Sequence, residues 1–254
     1  ANLNDGADVL NTNNALVAGG SIGGNAGNDI FNLGTSTLNQ STLGGGANND
    51  SIAMGAGSIL NSQVIGGAGK DTINFTGAAT TTFATIQAAD GHDIVLASSI
   101  AGSTSLVMAL GKGYDSIQLG ATTLATLSGG GGNDTIRSTA AVGGNVAIYG
   151  DGIGVTEGGT YAGDDLMVLS GNALAAGTSI YGAGGADTIG LNATVNTAIV
   201  IDGGNGADVI GNTAVAVATG SSVYGGAGAD SINLSTVASG NLVSGGAGND
   251  TLAF

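Results

Sequence analysis

Twelve aspartates recur along the chain, and each one closes a turn that is rich in glycine. Carboxylates at a fixed interval can bind cations, or can act in pairs as acids and bases. Their spacing is 19 to 22 residues, except for one interval of 31 residues between Asp134 and Asp165. We term these residues the anchor aspartates: Asp8, Asp29, Asp50, Asp71, Asp93, Asp115, Asp134, Asp165, Asp187, Asp208, Asp230 and Asp250.

The long interval contains an insertion. If residues 153–162 are left out, Tyr149–Gly152 and Gly163–Asp165 join as one turn, and the interval becomes 21 residues. The insertion is interpreted either as a tolerated bulge or as a contact loop. A constant period of this kind predicts one elongated repeat domain over residues 1–254, within a larger chain or assembly.

Apolar side chains stand at two fixed places relative to the anchors, and these places predict the strands. Two residues after each anchor lie Leu10, Phe31, Ile52, Ile73, Val95, Ile117, Ile136, Met167, Ile189, Ile210, Ile232 and Leu252. Seven residues before the anchors lie Ile22, Leu43, Val64, Ile86, Met108, Leu127, Ile148, Ile180, Ile201, Val223 and Val243. Each unit therefore offers two short strands and two turns. The pattern predicts an all-β fold, a parallel β-roll or β-solenoid of about twelve coils of ~21 residues.

The charge of the chain limits what it can bind. Eighteen acidic residues face three Lys and Arg, and the formal net charge is −15. Seventeen of the acids lie in or just before the turns: the twelve anchors and Asp5, Asp90, Asp151, Asp164 and Asp202. The other acid, Glu157, lies within the insertion. An acidic edge excludes a nucleic-acid partner, which requires a basic surface. Membrane insertion is not expected either, since no apolar run approaches ~20 residues.

Stacked coils would place the anchor carboxylates about one rung, or ~4.8 Å, apart. Carboxylates at that distance repel each other, and a cation between the rungs removes the conflict. The glycine turn supplies carbonyl oxygens as further ligands. A set made only of oxygens suits Ca²⁺ better than a transition metal, and better than Mg²⁺, which demands near-octahedral geometry.

Several turns resemble a known motif. Gly245–Leu252, Gly225–Ile232 and Gly66–Ile73 are similar to the calcium-binding RTX nonapeptide, Gly-Gly-x-Gly-x-Asp followed by any residue and an aliphatic one. The resemblance implies a parallel β-roll with Ca²⁺ between successive turns, held by the anchor carboxylates and by turn carbonyls. The turn glycines assigned in this way are Gly24, Gly45, Gly66, Gly129, Gly182, Gly203, Gly225 and Gly245.

The chain differs from the RTX pattern because the motif occupies only one edge of each coil. We therefore expect one row of calcium ions, several in number and up to about eleven, since twelve anchors enclose eleven gaps. The turns that end at Asp8, Asp93 and Asp115 lack their first glycines, and weaker calcium binding is expected there.

The composition, rich in Gly, Ala, Thr and Asn, resembles that of RTX-type surface-layer proteins of Gram-negative bacteria. This implies a structural, non-enzymatic segment of an extracellular or cell-surface protein. It would be exported by type I secretion, would fold with calcium, and would self-assemble into a layer or fibre.

Alternatives are the stalk of a giant RTX adhesin, an ice-binding solenoid, and the secretion module of an RTX enzyme. An ice-binding solenoid needs a regular threonine ladder. The positions three residues after the anchors, such as Asn11, Asn32 and Ala53, do not form one.

Two other groups of residues could carry chemistry. His92 is the only histidine, and we interpret it as an exposed turn residue rather than a catalytic base. Tyr149, Tyr181 and Tyr224 each precede a glycine turn. They are interpreted either as a stack of rings on successive coils or as a strip that binds a surface polysaccharide.

Overall fold

The computed structural model describes residues 1–75, 77, 80–98, 100, 105–120, 125–141, 143, 145–152, 162–170, 174–192, 195–211 and 216–254. These residues form two compact units, Ala1–Thr126 and Leu127–Phe254. In both units the described elements are β-strands, and the strands pair in parallel with the corresponding strands of neighbouring coils. The prediction of one domain over residues 1–254 stays a prediction, and residues 153–161 of the insertion lie outside the described residues.

The first set of strands follows the anchors, and we term them the aspartate strands. In the first unit they are Val9–Asn11, Ile30–Gly34, Ser51–Met54, Thr72–Phe75, Ile94–Ala97 and Ser116–Leu119. In the second unit they are Thr135–Ser138, Leu166–Leu169, Thr188–Leu191, Val209–Gly211, Ser231–Asn233 and Thr251–Ala253. Residues at the same distance from their anchors pair with each other, as Ile52 does with Ile73.

The second set leads into the glycine turns, and we term them the glycine strands. Those of the first unit are Ser21–Ala26, Thr42–Ala47, Gln63–Gly69, Thr85–Gly91 and Leu106–Lys112. The strand Ala125–Gly131 begins just before the second unit, which also contains Ala147–Asp151, Ser179–Gly184, Val200–Asn205, Ser222–Ala227 and Leu242–Ala247. Each glycine strand ends within the turn, so the turn itself takes part in the parallel ladder.

A third set of strands was not predicted. The segment that the sequence analysis treated as a variable second turn contains Leu16–Ala18, Thr37–Asn39, Ser58–Leu60 and Thr80–Thr82 in the first unit. The second unit has Ala216–Val217 and Thr236–Val237 at this place, with isolated bridges that join Leu174 to Val195 and Val195 to Val217. The prediction of two strands per coil was therefore wrong. Strands of two or three residues are too short for an alternating pattern to reveal them.

Aliphatic side chains fill the interior of each unit. Leu38, Ile59 and Val195 from the third set are buried together with most of the apolar positions that were predicted to point inward, whereas Leu10, Ile22 and Val243 are half-buried. Leu252 is 41% exposed, since its strand has a described neighbour on one side only. The fold class is confirmed as an all-β parallel β-solenoid with coils of roughly 21 residues. Stacking in register is what buries the apolar face that one coil alone would expose.

Removal of one rung of this core should destabilise the second unit. Ile201 is fully buried and pairs in register with Ile180 and Val223. Ile201→Ala should lower the free energy of unfolding by about 2–5 kcal/mol, because the packed coils cannot close the cavity. Urea denaturation in excess calcium measures the loss.

The neighbouring Val200, which is only half-buried, provides the control. Val200→Ala should cost less than about 1 kcal/mol, the range of strand propensity at a surface position. Equal losses for the two variants would contradict the assignment of Ile201 to the core.

Candidate metal centre

The anchor aspartates line one edge of each unit, directly before the aspartate strands, and we term this the aspartate edge. The ten anchors from Asp29 to Asp230 are between 1% and 3% exposed, whereas Asp8 and Asp250 are half-buried. Carboxylates are rarely buried to this degree unless a partner compensates for the lost hydration. The aspartate edge therefore needs a source of compensation.

Part of the compensation comes from a ladder of hydrogen bonds between anchors. The backbone N–H of Asp50 donates to Oδ1 of Asp71 at 2.7 Å, and the N–H of Asp165 donates to Oδ1 of Asp187 at 2.8 Å. The same link joins Asp8 to Asp29, Asp29 to Asp50, Asp71 to Asp93, Asp93 to Asp115, Asp134 to Asp165, Asp187 to Asp208, Asp208 to Asp230 and Asp230 to Asp250. Each linked carboxylate thus fixes the register of the coil before its own. The sequence analysis did not predict this ladder.

The second oxygen of these carboxylates is left without such a donor. Within the described residues, Oδ2 is buried and has no hydrogen-bond partner at Asp29, Asp50, Asp71, Asp93, Asp165, Asp187, Asp208 and Asp230. A buried acceptor without a partner costs free energy, and more so when it carries charge. The repetition of this cost coil after coil suggests a ligand that is bound to Oδ2.

The first glycine of the turn shows what faces that oxygen. A β-carbon on Gly45 would overlap both Oδ2 of Asp50 and the carbonyl oxygen of Gly66 on the next coil. Glycine is therefore required at this place for close approach. The same pair of oxygens, one carboxylate and one carbonyl, surrounds Gly24, Gly66, Gly129, Gly150, Gly182, Gly203 and Gly225. A β-carbon on Gly245 would overlap Asp250, and the three atoms nearest to it all belong to that residue.

Two of the facing carbonyls lie outside the predicted set. The carbonyl oxygen next to Asp71 belongs to Ala88, and the one next to Asp134 belongs to Gly150. Ala88 was passed over because it is not glycine, although a carbonyl ligand does not depend on its side chain. Gly150 was passed over because the insertion interrupts its turn.

These oxygens fit a calcium ion. A carboxylate oxygen and a carbonyl oxygen both carry lone pairs, so they can approach closely only with a cation or a proton between them. Among the described residues, no three acidic or histidine side chains come together to hold a metal ion. Carbonyl oxygens, together with water, would therefore supply much of any coordination shell. That combination suits Ca²⁺, and the anchors with their turn carbonyls are the residues that would hold it.

The acidity of the anchors reflects the same environment. Burial raises the pKa of Asp50, Asp71, Asp93 and Asp115 to about 6, and that of Asp187 to about 7. It raises the pKa of Asp165 to about 8, with further contributions from the charges of Asp134, Asp187 and Asp151. Hydrogen bonds from backbone N–H groups lower these pKa values in part. In the absence of metal, several anchor carboxylates therefore still bind protons close to neutral pH.

The turn backbone follows the sequence pattern with two exceptions. Two residues before each anchor stands glycine, or Asn48 in one case, which suits a backbone with positive φ. Ten of these twelve residues have it, as at Gly27 with φ 133° and Asn48 with φ 80°. Gly91 and Gly163 are not in this region. Asp8, Asp93 and Asp115 take part in the same hydrogen-bond ladder as the other anchors. The ladder does not measure calcium affinity, and weaker calcium binding at these three turns stays a prediction.

The other candidate residues lie on the outer surface of the coils. His92 is exposed, accepts a hydrogen bond from the N–H of Tyr114 at 2.7 Å and stacks on that ring, as expected of a turn residue. Tyr149 and Tyr181 stack with their ring centroids 4.9 Å apart. The extension of this stack to Tyr224 was wrong, because Asp202 lies in register between Tyr181 and Tyr224.

Comparison with known proteins identifies the fold. The chain matches no protein-family model and none of the curated proteins. Among solved structures it is similar to a hyperactive, Ca²⁺-dependent, β-helical antifreeze protein from an Antarctic bacterium. The TM-score is 0.66 at 20% sequence identity, over 98% of this chain and 82% of that one. This likeness shows the solenoid fold alone.

Substitution of a turn glycine tests the close approach at the aspartate edge. Gly45→Ala should lower the free energy of unfolding by about 1–3 kcal/mol or more, because its β-carbon overlaps Asp50 Oδ2 and the Gly66 carbonyl. It should also weaken calcium binding, and urea denaturation at several free calcium concentrations measures both effects.

The adjacent Gly44 is a matched control, since a β-carbon there meets nothing within 4 Å. Gly44→Ala should change stability by less than about 1 kcal/mol and leave calcium binding intact. Indistinguishable behaviour of the two variants would show that the space around Gly45 is not needed.

The raised pKa values also predict how pH affects the metal-free protein. An unfolded aspartate loses its proton near pH 3.8, whereas several folded anchors hold theirs up to about pH 6–8. The folded chain then binds more protons than the unfolded chain, so stability in chelator should fall from about pH 4 to about pH 8. Excess calcium should remove the fall. The far-UV circular dichroism signal of the chain in chelator across this range measures the fall, and a β signal that rises with pH would contradict the buried carboxylates.

Proposed function

We propose that this chain is a structural calcium-binding repeat segment of a secreted cell-surface protein. Calcium ions bound along the aspartate edge drive folding, and the folded coils assemble into a surface layer or fibre. The observation that carries the proposal is a repeated one: within the described residues, Oδ2 of Asp29, Asp50, Asp71, Asp165, Asp187, Asp208 and Asp230 is buried without a hydrogen-bond donor and lies near a carbonyl oxygen of the next coil. Cations bound along such a row would stabilise the folded chain, and a catalytic centre is not proposed.

The composition supports a cation from outside the chain. Three Lys and Arg cannot neutralise eighteen acids, and Lys112 lies 3.4 Å from Asp90 with both side chains exposed. The antifreeze protein that shares the fold depends on Ca²⁺, which supports calcium as the ion here as well. Calcium that binds only the folded chain stabilises it by mass action. A chain with this charge would stay unfolded where calcium is scarce and fold where calcium is abundant.

That coupling suits a protein that is exported before it folds, as in type I secretion from a Gram-negative bacterium. No helix of the described residues has the length and apolarity to span a membrane. Self-association is proposed through the faces away from the aspartate edge, which carry almost no charge. The stacked rings of Tyr149 and Tyr181 offer a place for a surface polysaccharide. The stalk of a giant RTX adhesin is the alternative that shares the calcium chemistry.

Ice binding is a second candidate function, supported by one row of side chains. The residue directly after each anchor is exposed or half-buried, as in Thr72, Ile94 and Val209. Throughout the row it is Thr, Ser, Val, Ile or Leu. The similar fold of an antifreeze protein adds to this observation. Threonine does not recur regularly in the row, so the structural role remains our first proposal.

A calcium titration tests the proposed function. The chelator-stripped chain should show little β signal in far-UV circular dichroism, and the signal should appear as Ca²⁺ is added. Sedimentation of the same samples should then show large assemblies, because folding creates the surfaces that associate.

Equimolar Mg²⁺ serves as the control and should not replace Ca²⁺ in folding the chain. A chain that folds with Ca²⁺ but stays monomeric would favour the adhesin stalk. If thermal hysteresis also appears in that monomeric sample, ice binding would be favoured. Complete folding in chelator at neutral pH would contradict the calcium-driven account.

A further inference from the structure

One turn of the aspartate edge carries a second buried carboxylate. Asp151 directly follows Gly150, at the place where other turns have their second glycine, such as Gly130 and Gly204. Those two residues have positive φ, 116° and 103°, whereas Asp151 does not belong to the positive-φ residues of the described chain. The backbone of this turn therefore differs from that of its neighbours, and a side chain occupies a place that is usually bare.

Asp151 is only 4% exposed, and it is the one buried acid among the described residues that is not an anchor. Its Oδ2 accepts a hydrogen bond from the N–H of Gly184 on the next coil at 2.9 Å. Its Oδ1 is buried and has no hydrogen-bond partner among the described residues. A carboxylate of this kind calls for a cation near Oδ1.

The surroundings of Asp151 already contain two candidate cation sites. A β-carbon on its neighbour Gly150 would overlap Asp165 Oδ2 and lie 2.8 Å from the Gly182 carbonyl oxygen. A β-carbon on Gly182 would in turn overlap Asp187 Oδ2, and Gly184, the donor to Asp151, is two residues further along the same turn. Asp151 thus reaches from the turn of Asp165 to the turn of Asp187. Its charge acts on both anchors.

We propose that Asp151 is an additional calcium ligand, and that the gap between the turns of Asp165 and Asp187 is the tightest calcium site of the second unit. The inference rests on the proposed calcium-binding function and adds a residue that the repeat motif does not contain. An extra carboxylate raises the negative charge of the site, and ligand charge, together with the rigidity of the site, tunes calcium affinity. This gap would fill first as calcium rises, so that the second unit would begin to order at its interrupted turn.

Equilibrium dialysis with ⁴⁵Ca²⁺ on the full chain tests the inference, at free calcium below the level that fills the other sites. The wild-type chain should bind about one ion per chain in this tight class. Asp151→Asn should lower the affinity of this class by about 10-fold or more, at least the loss that follows removal of a supporting partner. The remaining sites should keep their affinities.

Two further variants make the result decisive. Asp151→Gly restores the usual turn residue and removes the carboxylate, so it should lose the tight class even if Asp151→Asn folds poorly. Asp90→Asn removes the same charge from an exposed turn acid and should leave the tight class intact. Far-UV circular dichroism in excess calcium checks that each variant folds.

The outcomes separate the inference from the proposed function. A wild-type chain that binds no calcium would overturn both. Calcium binding with equal affinity in wild type, Asp151→Asn and Asp151→Gly would overturn the role of Asp151 alone. An equal loss in Asp90→Asn would also overturn it, since net charge rather than ligation would then be responsible.

Discussion

The structure depends on the neutralisation of carboxylates that its own fold buries. Parallel stacking removes the ten anchors from Asp29 to Asp230 from water, and it brings eight of them close to a backbone carbonyl oxygen in the turn of the next coil. Backbone N–H groups satisfy one oxygen of each linked carboxylate, and within the described part of the chain the other oxygen has no donor at anchors such as Asp50 and Asp187. Calcium bound by oxygens of two successive coils would neutralise the buried carboxylates and would link those coils to each other.

The remaining features of each unit follow from that constraint. The first turn residue has no side chain where the carboxylate and carbonyl oxygens converge, as at Gly45 and Gly203. The aliphatic residues of the three strands supply a continuous core, with Ile52, Leu43 and Ile59 among its members. The core favours stacking in register, and register is what aligns the anchors. Hydrophobic burial and cation binding thus both favour the close stacking of successive coils.

The sequence was sufficient to predict the elements that repeat exactly and insufficient for those that depend on register between coils. The turn motif that ends at Asp250 recurs along the chain, with apolar residues at fixed distances from it. The aspartate strands and the glycine strands could therefore be predicted. Leu16–Ala18 could not, because three residues carry no readable alternation. The bond from Asp50 N–H to Asp71 Oδ1 joins two coils, and no single unit displays it. Asp151 was grouped with other turn acids because the insertion hides the glycine position that it replaces.

The most direct measurement of the central claim is an anomalous-scattering map from crystals grown in calcium, recorded at a wavelength where calcium contributes. The account predicts a row of peaks at the aspartate edge, each between an anchor Oδ2 and the carbonyl oxygen that faces it, as between Asp50 and Gly66. The absence of peaks from this row, with protonated carboxyl groups donating to those carbonyls instead, would contradict it.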